Sequence, residues 1–256
     1  MTDFWVVIPA RRASSRLPNK PLADIAGKPM VVRVAERAQQ SLASRVLVAT
    51  DCPDIHGIVT HHGHESILTR ADHPSGTDRI AEVAQCLLAA PDQIIVNVQG
   101  DEPLIEPRLI DQVAQSLRST PQASVSTAAT PIRTEAELTS PHVVKVVCNA
   151  QSIAMYFSRA PIPFQRDRWP SLPAVRWDAG LPHLRHIGLY GFRAQALTLF
   201  PSWPVCPPEQ AEQLEQLRWI WMGHQIAVTV SQDAPHAGVD TPEDLERVRK
   251  LWPVSL

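Results

Sequence analysis

Three short apolar runs, separated by segments with helical spacing, constrain the fold of this chain most strongly. FWVVI (4–8), RVLVAT (45–50) and IIVNV (94–98) are nearly continuous and rich in β-branched residues, which is typical of strands buried on both faces. Between them, the segments at 30–43 and 78–90 carry apolar residues at helical spacing. The alternation predicts an α/β fold in which helices cover a parallel sheet.

The second half of the chain is less regular. It begins with two strand-like stretches and continues into a segment rich in proline, arginine and tryptophan at 159–186, which predicts an irregular surface lobe. A helix is predicted from Pro242, because Thr241 can cap it and acidic residues fill its first turn. Strands are predicted at 142–149, 153–158, 186–193 and 225–230, and a single helix at 208–223.

The charge balance and the cysteines exclude several classes of protein. The chain has 24 Lys+Arg against 26 Asp+Glu, a net charge of -2, so no basic surface of the kind expected for nucleic-acid binding is indicated. The 4 cysteines form no C-x-x-C pair, which favours reduced thiols. Neither a secretory signal nor a run of roughly 18 apolar residues is found. We therefore expect a cytoplasmic protein that binds neither membranes nor nucleic acid.

A cluster of cations follows the first strand. PARRASSRLPNK (9–20) holds Arg11, Arg12, Arg16 and Lys20. Such a turn can surround a polyphosphate with donors, although a solvated basic loop is the common alternative. The segment lacks the glycines of both the Walker A loop and the Rossmann fingerprint. Any phosphate site here must therefore use side chains.

Two aspartates occupy settings that suit a hard metal ion. Asp101 follows the run at 94–98 through Gln99 and Gly100, at the edge where parallel sheets bind ligands. Asp240 directly precedes a predicted helix. Mg²⁺ takes one or two carboxylates together with substrate phosphates. Turn and helix-start roles stay open for the two residues at this point.

Other polar features are weaker. Ser75, Gly76 and Thr77 open the helical segment at 78–90 and can present backbone groups to a ligand, or simply cap the helix. The histidines of HHGHE (61–65) lie near a predicted helix-to-strand connection, in the wrong register for a helical metal pair. Trp219 and Trp221 are expected to pack in the core.

The motifs occur in a fixed order from end to end. They are VVIPARRASSRLPNKPLADIAGKPM, VATD, HPSGTDRIAEV, VNVQGDEPLI, VVKVV, YFSRAPIPF, LRHIGLYGFR, LEQLR and GVDTPEDLERV. In this order they closely resemble the 3-deoxy-manno-octulosonate cytidylyltransferase family. The resemblance implies a glycosyltransferase-A-like nucleotidyltransferase fold, with a mixed, mostly parallel central sheet flanked by helices and a smaller second-half lobe.

The resemblance also implies how the chain is organised. Residues 1–256 would form one nucleotidyltransferase domain, with a nucleotide-binding half at roughly 1–130 and a half for sugar binding and dimerisation at 131–256. The expected protein is a cytoplasmic homodimer that serves lipopolysaccharide biosynthesis.

The implied reaction converts CTP and 3-deoxy-D-manno-octulosonate (Kdo) to CMP-Kdo and pyrophosphate. Arg11, Arg16 and Lys20 would hold the triphosphate, and Arg11, Lys20 and the two aspartates would be the catalytic residues. Arg12 occupies a position that varies in the family motif, so no role is implied for it. Asp101 and Asp240 would ligate Mg²⁺. The other implied nucleotide-binding residues are Ser14, Ser15, Ser75, Gly76, Thr77, Arg79 and Gln99.

The implied sugar site lies in the second half of the sequence. Guanidinium groups suit the Kdo carboxylate, and neutral polar groups suit its hydroxyls. A position in the core stays open as an alternative for Tyr190. An exposed position on a helix stays open for Glu215 and Gln216. The residues are Arg159, Arg166, His186, Tyr190, Glu215 and Gln216.

The chain departs from the family pattern within its cationic turn. Ser15 replaces a threonine, and Asn19 replaces a glycine. Serine keeps the hydroxyl, and asparagine tolerates positive φ better than most residues, so we expect the turn to form.

Two alternative functions stay open from the sequence. One is a cytidylyltransferase for a related acidic sugar, 8-amino-Kdo or sialic acid. The other is a non-catalytic nucleotide-sugar-binding protein, against which stands the presence of both aspartates and the lysine.

Overall fold

A computed structural model describes residues 3–11, 17–169, 183–232 and 236–252. The strands in chain order are β1 Phe4–Ala10, β2 Asp24–Ile25, β3 Lys28–Pro29, β4 Arg45–Thr50, β5 Glu65–Leu68, β6 Ile94–Asn97, β7 Ala123–Pro131, β8 Lys145–Cys148, β9 Ala154–Ser158, β10 Leu184–Arg193 and β11 Gln225–Val230. The helices are α1 Met30–Ala38, α2 Pro53–His61, α3 Gly76–Cys86, α4 Pro107–Ser119, α5 Glu135–Thr139, α6 Ala194–Leu199, α7 Pro207–Glu212, α8 Gln216–Trp221 and α9 Pro242–Leu251.

The chain divides into two compact units, each built from several stretches. The first unit comprises Met1–Gln115, Leu189–Pro201 and Pro235–Leu256, and the second comprises Ser116–Gly188 and Ser202–Ala234. Strand β10 gives its second half to the first unit and its first half to the second. The predicted α/β fold with a mixed, mostly parallel sheet is confirmed.

The sheet of the first unit has the strand order β10-β6-β1-β4-β5. Strand β1 pairs in parallel with β4 on one side and β6 on the other, while β10 is antiparallel to β6. The chain first adds β4 and β5 to one side of β1 and then crosses to β6 on its other side. Ligands bind in α/β sheets at such a switch point, in the crevice beyond the carboxyl ends of the strands.

Apolar runs form the core of the first unit, as the sequence predicts. Val6, Val7 and Ile8 of β1 are fully buried, and so are Leu47 and Val48 of β4. Helices α1 and α3 contact both of these strands, so they cover the sheet as expected for an α/β unit.

The second unit holds its own sheet pairings. Strand β7 lies between β11, to which it is parallel, and β10, while β8 pairs with both β10 and β9. The predicted strands of the second half are present, with β8, β9 and β11 matching three of them. Strand β7 carries no strong apolar pattern, and nothing in its sequence predicts it.

The single helix predicted over 208–223 is wrong. The structure has two short helices, α7 and α8, separated at Gln213, which takes a left-handed conformation with φ 53°. Arg159 Nε donates to Glu212 O at 2.7 Å and its Nη2 to Gln213 O at 3.3 Å. These are carbonyls that a continuous helix would use for its own amides, so the guanidinium satisfies the break.

Helix α9 begins as the sequence predicts. Thr241 Oγ1 accepts from the amide of Asp244, whose carboxylate accepts in return from the amide of Thr241, and Pro242 occupies the first turn. This reciprocal cap fixes the start of the helix next to Asp240. Within the described residues, no helix is both long and apolar enough to cross a membrane.

Gly100→Ala tests the close approach of two strand ends. A Cβ at Gly100 would lie 2.9 Å from Pro9 O. This is closer than the two atoms can approach, so the backbone at one of the two positions would have to shift. We expect the free energy of unfolding, measured by urea denaturation, to fall by about 1–3 kcal/mol. Gly57→Ala in α2 is the matched control, since its Cβ would meet nothing within 4 Å and should stabilise the helix by about 0.5–1 kcal/mol. Equal effects of the two changes would contradict the close approach.

Candidate active site

The carboxyl ends of β1 and β6 meet at the crevice of the first unit. Gly100 passes Pro9 closely, because it has no side chain, and this brings the residue after it to the strand edge. The sequence predicts that Asp101 emerges at this edge, and the structure places it there.

Three charged side chains from distant parts of the sequence converge here. Lys20 Nζ lies 2.5 Å from Asp101 Oδ2 and 2.9 Å from Asp240 Oδ1. The lysine side chain is only 12% exposed, so the ion pairs are partly shielded from solvent. Two carboxylates thus point at one cation.

Backbone features place each member of this cluster. Asn19 adopts φ 55°, as its tolerance of positive φ allows, and a 3-10 turn at Lys20–Leu22 follows it. Val239 N donates to Asp101 O at 2.9 Å, which ties the two acidic segments together. A Cβ at Gly238 would lie 3.3 Å from Asp101 O, so this contact is also close. The cluster is therefore held by the main chain as well as by charge.

The cluster perturbs its ionisable groups. Burial by itself would lower the pKa of Lys20, but the hydrogen bonds and charges of Asp101 and Asp240 outweigh it and raise that pKa. Burial raises the pKa of Glu102 to about 8, with a further contribution from the charge of Asp101. Glu102 Oε2 is buried without a hydrogen-bond partner. An additional cation would be stabilised electrostatically at this point of the sheet edge.

The donor set bears on which metal the cluster could hold. The described residues contain no group of three or more His, Cys, Asp or Glu side chains suited to a metal. Zinc prefers four nitrogen or sulfur ligands, whereas Mg²⁺ uses one or two carboxylates and completes its shell with water and phosphate. The pair Asp101 and Asp240, which already converges on a cation, fits Mg²⁺.

Several predicted nucleotide-binding residues line one small pocket beside the cluster. Its walls come from the end of β1, the start of α3 and the segment after β6. The lining residues are Pro9, Ala10, Arg11, Ser75, Gly76, Arg79 and Gln99. The structure thus brings together side chains that the sequence places far apart. Ser14, Ser15 and Arg16 lie outside the described residues.

The side chains around this pocket differ in availability. Arg11 is exposed. The Ser75 hydroxyl accepts from Asp78 N at 3.2 Å and donates to Asp78 Oδ2 at 2.6 Å, so it caps α3, and Thr77 is buried in the first turn. Arg79 is 3% exposed and engages Asp51. Ser75 and Arg79 therefore already have protein partners, and backbone groups of this loop are left to face a ligand.

Two of the predicted sugar-binding residues are held firmly within the second unit. Arg159 donates to the backbone carbonyls of Glu212, Pro141 and Gln213. Burial lowers the pKa of His186 to about 3, so its imidazole is neutral. Thr127 Oγ1 lies 2.9 Å from His186 Nε2 and 3.1 Å from Ile187 O, so the imidazole is held by a hydroxyl.

The remaining predicted sugar-binding residues have varied settings. Arg166 is exposed, Glu215 is half-buried and Gln216, at the start of α8, is buried. Tyr190, in the first unit, pairs with Asn97 across the sheet and stacks on Phe192.

Sequence reasoning missed a buried lysine near Arg159. Lys145 is fully buried, and its ammonium donates to the carbonyls of Ser140, Val143 and Arg159 at 2.9, 2.6 and 2.5 Å. It therefore fixes the backbone of a predicted sugar-binding residue. A lysine inside the apolar run VVKVV is the signal that could have found it.

Two secondary expectations from the sequence have mixed outcomes. Trp219 is buried and packs edge-on against Trp203, as expected, but Trp221 is 59% exposed because α8 ends there. The segment at 61–65 joins α2 to β5 as predicted, and its histidines form no metal cluster among the described residues.

Comparison with known proteins gives consistent matches. A family model described as Cytidylyltransferase matches residues 5–226. A 3-deoxy-manno-octulosonate cytidylyltransferase from Polynucleobacter necessarius subsp. necessarius (strain STIR1) is 57% identical over 249 residues, 97% of this chain and 95% of the relative.

Two solved structures are also similar. The first is a CMP:2-keto-3-deoxy-manno-octonic acid synthetase complexed with CTP, at 44% identity and a TM-score of 0.87, which covers 97% of this chain and 98% of that one. A cytidylyltransferase from Leptospira borgpetersenii serovar Hardjo-bovis (strain JB197) has 17% identity and a TM-score of 0.60, covering 97% and 85%, and supports the fold alone.

Proposed function

Because this chain belongs to the 3-deoxy-manno-octulosonate cytidylyltransferase family, we propose that it transfers CMP from CTP to Kdo and releases pyrophosphate. The observation that carries the proposal is the convergence of Asp101 and Asp240 on one cation at the switch point of the sheet. An intact cluster of this kind favours an enzyme over a non-catalytic nucleotide-sugar-binding protein.

The reaction is a displacement at phosphorus. The anomeric hydroxyl of Kdo attacks the α-phosphorus of CTP, the new P–O bond forms, and the bond to pyrophosphate breaks. Catalysis of such transfers rests on positioning and on neutralisation of charge. Arg11 in the pocket wall and Lys20 in the charged cluster supply positive charge for the triphosphate and the leaving group. Arg16, Ser14 and Ser15 are further predicted contributors.

Asp101 and Asp240 would hold Mg²⁺. When bound, the ion would neutralise phosphate charge and lower the pKa of the attacking hydroxyl. The two carboxylates now bind the ammonium of Lys20, so a metal ion must compete with it. Once released from the carboxylates, the ammonium is available to phosphate oxygens. Lys20 thereby keeps the acidic pair together before the substrate arrives.

The nucleotide base is assigned to the pocket of Ser75, Gly76 and Gln99, with Arg79 supporting its wall. Thr77, buried beside this pocket in the first turn of α3, is a further predicted contributor. The sugar is assigned to the predicted set in the second half, among which Arg166 is exposed and carries a guanidinium suited to a carboxylate. His186 is neutral and suits a hydroxyl. These roles rest on the family motif together with the placement described above.

A pyrophosphate-release assay tests the activity. With CTP, Mg²⁺ and a panel of Kdo, 8-amino-Kdo and sialic acid, we expect the highest kcat/KM with Kdo. Asp101→Asn and Asp240→Asn should each reduce kcat by at least about 10²-fold, because charge stabilisation of the transferred group is lost. Circular dichroism checks that both variants fold. If pyrophosphate is released with 8-amino-Kdo and sialic acid but not with Kdo, the proposal is contradicted.

Lys20→Met tests competition between the ammonium and the metal. Without nucleotide, the variant should bind Mg²⁺ several-fold more tightly by titration calorimetry, since no internal cation occupies the carboxylates, while kcat/KM falls by about 10²-fold or more. Lys28→Met is the matched control, because Lys28 pairs with Glu36 elsewhere on the first unit and should leave both quantities unchanged. Equal Mg²⁺ affinity in Lys20→Met and the unmodified enzyme would exclude the competition.

A homodimer is proposed through the second unit. Met155 and Tyr156 on β9 are 60% and 38% exposed, and Trp221 and Met222 at the end of α8 are 59% and 41% exposed. Helix α8 contacts β9, so these four side chains belong to neighbouring elements. Large exposed apolar side chains on neighbouring elements favour a protein interface, and a second copy of the chain is the partner that the family resemblance implies.

Trp221→Glu tests this interface. Sedimentation equilibrium should give twice the chain mass for the unmodified protein and a lower mass for the variant, because a buried carboxylate opposes association. Leu88→Glu, at an isolated 90% exposed position of the first unit, should leave the mass unchanged. A monomeric unmodified protein would contradict the proposal. Cytoplasmic location and service to lipopolysaccharide biosynthesis stay predictions.

A further inference from the structure

The first half of helix α3 is bonded back onto the loop that precedes it. Three side chains of the helix take part: Asp78, Arg79 and Glu82. Asp78 exchanges two hydrogen bonds with Ser75, while the other two reach the earlier part of the loop.

Arg79 ties this loop to the ends of two strands. Its Nη1 donates to Thr69 Oγ1 at 2.5 Å and to Arg70 O at 3.3 Å, just after β5. Its Nη2 lies 3.2 Å from Asp51 Oδ2, just after β4. The guanidinium therefore fixes the position of α3 against the sheet edge.

Glu82 holds the middle of the loop. Its Oε2 accepts from Arg70 N at 3.1 Å and from the Nε2 of His73. The side chain of His73 is 4% exposed and that of Glu82 20%, so neither can reach a ligand in the crevice. Burial would raise the pKa of Glu82, but the hydrogen bonds from His73 and Arg70 lower it, so its carboxylate is ionised.

The loop that is held in this way forms one wall of the nucleotide pocket. Ser75 and Gly76 line the pocket together with Arg11 and Gln99. A Cβ at Gly76 would lie 3.5 Å from Pro9 Cγ, so the loop already sits at contact distance from the end of β1. A shift of the loop would change the shape of this pocket directly.

We propose that the His73–Glu82 pair sets the selectivity for cytosine over uracil by holding in position the loop that ends at Ser75 and the first residues of α3, Gly76 and Thr77. Cytosine offers an amino donor where uracil offers a carbonyl acceptor, so fixed backbone groups can tell the two apart. A site with fixed hydrogen-bonding groups rejects the wrong partner because buried polar groups are left unpaired, whereas a loop that can move adapts to either base. His73 and Glu82 are positioning residues, and the inference rests on the proposed role of this loop in nucleotide binding.

Steady-state kinetics with CTP and UTP test the proposal. Glu82→Ala should raise the KM for CTP about tenfold and lower the CTP:UTP ratio of kcat/KM about tenfold or more, while kcat at saturating CTP changes little. Glu82→Gln keeps one acceptor oxygen and should fall between Glu82→Ala and the unmodified enzyme. A fall in kcat with an unchanged CTP:UTP ratio would overturn the proposal.

His73→Gln provides a second, independent approach from the other side of the pair. If the two side chains act together, the double variant His73→Gln/Glu82→Ala should lose no more selectivity than Glu82→Ala alone. Additive losses would overturn the pairing. Glu65→Ala is the matched control: it removes a carboxylate from an exposed ion pair with Arg45 on neighbouring strands and should leave the CTP:UTP ratio unchanged.

Gly76→Val separates this inference from the function on which it rests. Gly76 and Pro9 both line the pocket, and a larger side chain at position 76 would press against Pro9, so the KM for CTP should rise if this segment binds the nucleotide. If Gly76→Val leaves that KM unchanged, the nucleotide role of the loop fails. If Gly76→Val raises the KM for CTP while the Glu82 and His73 variants keep the CTP:UTP ratio of kcat/KM, the loop binds the nucleotide. In that case only the role of the His73–Glu82 pair in selectivity is overturned.

Discussion

The site in the first unit depends on a single ammonium that neutralises two carboxylates. Asp101 and Asp240 both carry negative charge, so they would repel each other if no cation lay between them. Lys20 removes the conflict by bonding to both. Since the three residues come from the N-terminal turn, the edge of β6 and the start of α9, the cluster forms only when all three segments are in place. Any ligand that takes the carboxylates must itself be cationic.

The main chain around this cluster is held in position by close backbone contacts and hydrogen bonds that need no ligand. Gly100 and Gly238 allow close approaches that a side chain would obstruct, and Val239 N bonds to the carbonyl of Asp101. The reciprocal cap of α9 holds the segment that carries Asp240. Groups fixed in this way do not have to reorganise when charge develops in the transition state, which is how phosphoryl transfer is accelerated. In the proposed mechanism, rigidity at this edge of the sheet is thus part of the chemistry.

Local patterns predict the parts of the structure that local physics determines. Apolar runs predict β1, β4 and β6, and the position of Asp101 after a buried strand predicts its place at the sheet edge. Strand β7 is hidden from this reasoning because its small residues, many of them hydroxylated, show no period. The break between α7 and α8 is hidden for another reason: Arg159, distant in sequence, takes the helix carbonyls. Sequence spacing does not reveal such partners, and it did not reveal the contact of His73 with Glu82.

The cations of the site illustrate why partners matter more than residue type. Arg11 is exposed and, within the described part of the chain, has no acidic partner; Lys20 has two, and Arg79 is buried against Asp51. In the proposed mechanism, Arg11 is therefore available to the triphosphate at once, Lys20 becomes available only after its carboxylates are occupied, and Arg79 supports the pocket wall. Positive charge attracts every nucleoside triphosphate alike. Choice among bases must come from directional groups that are held in place, and the hydrogen bonds of Arg79 and Glu82 hold the segment before α3.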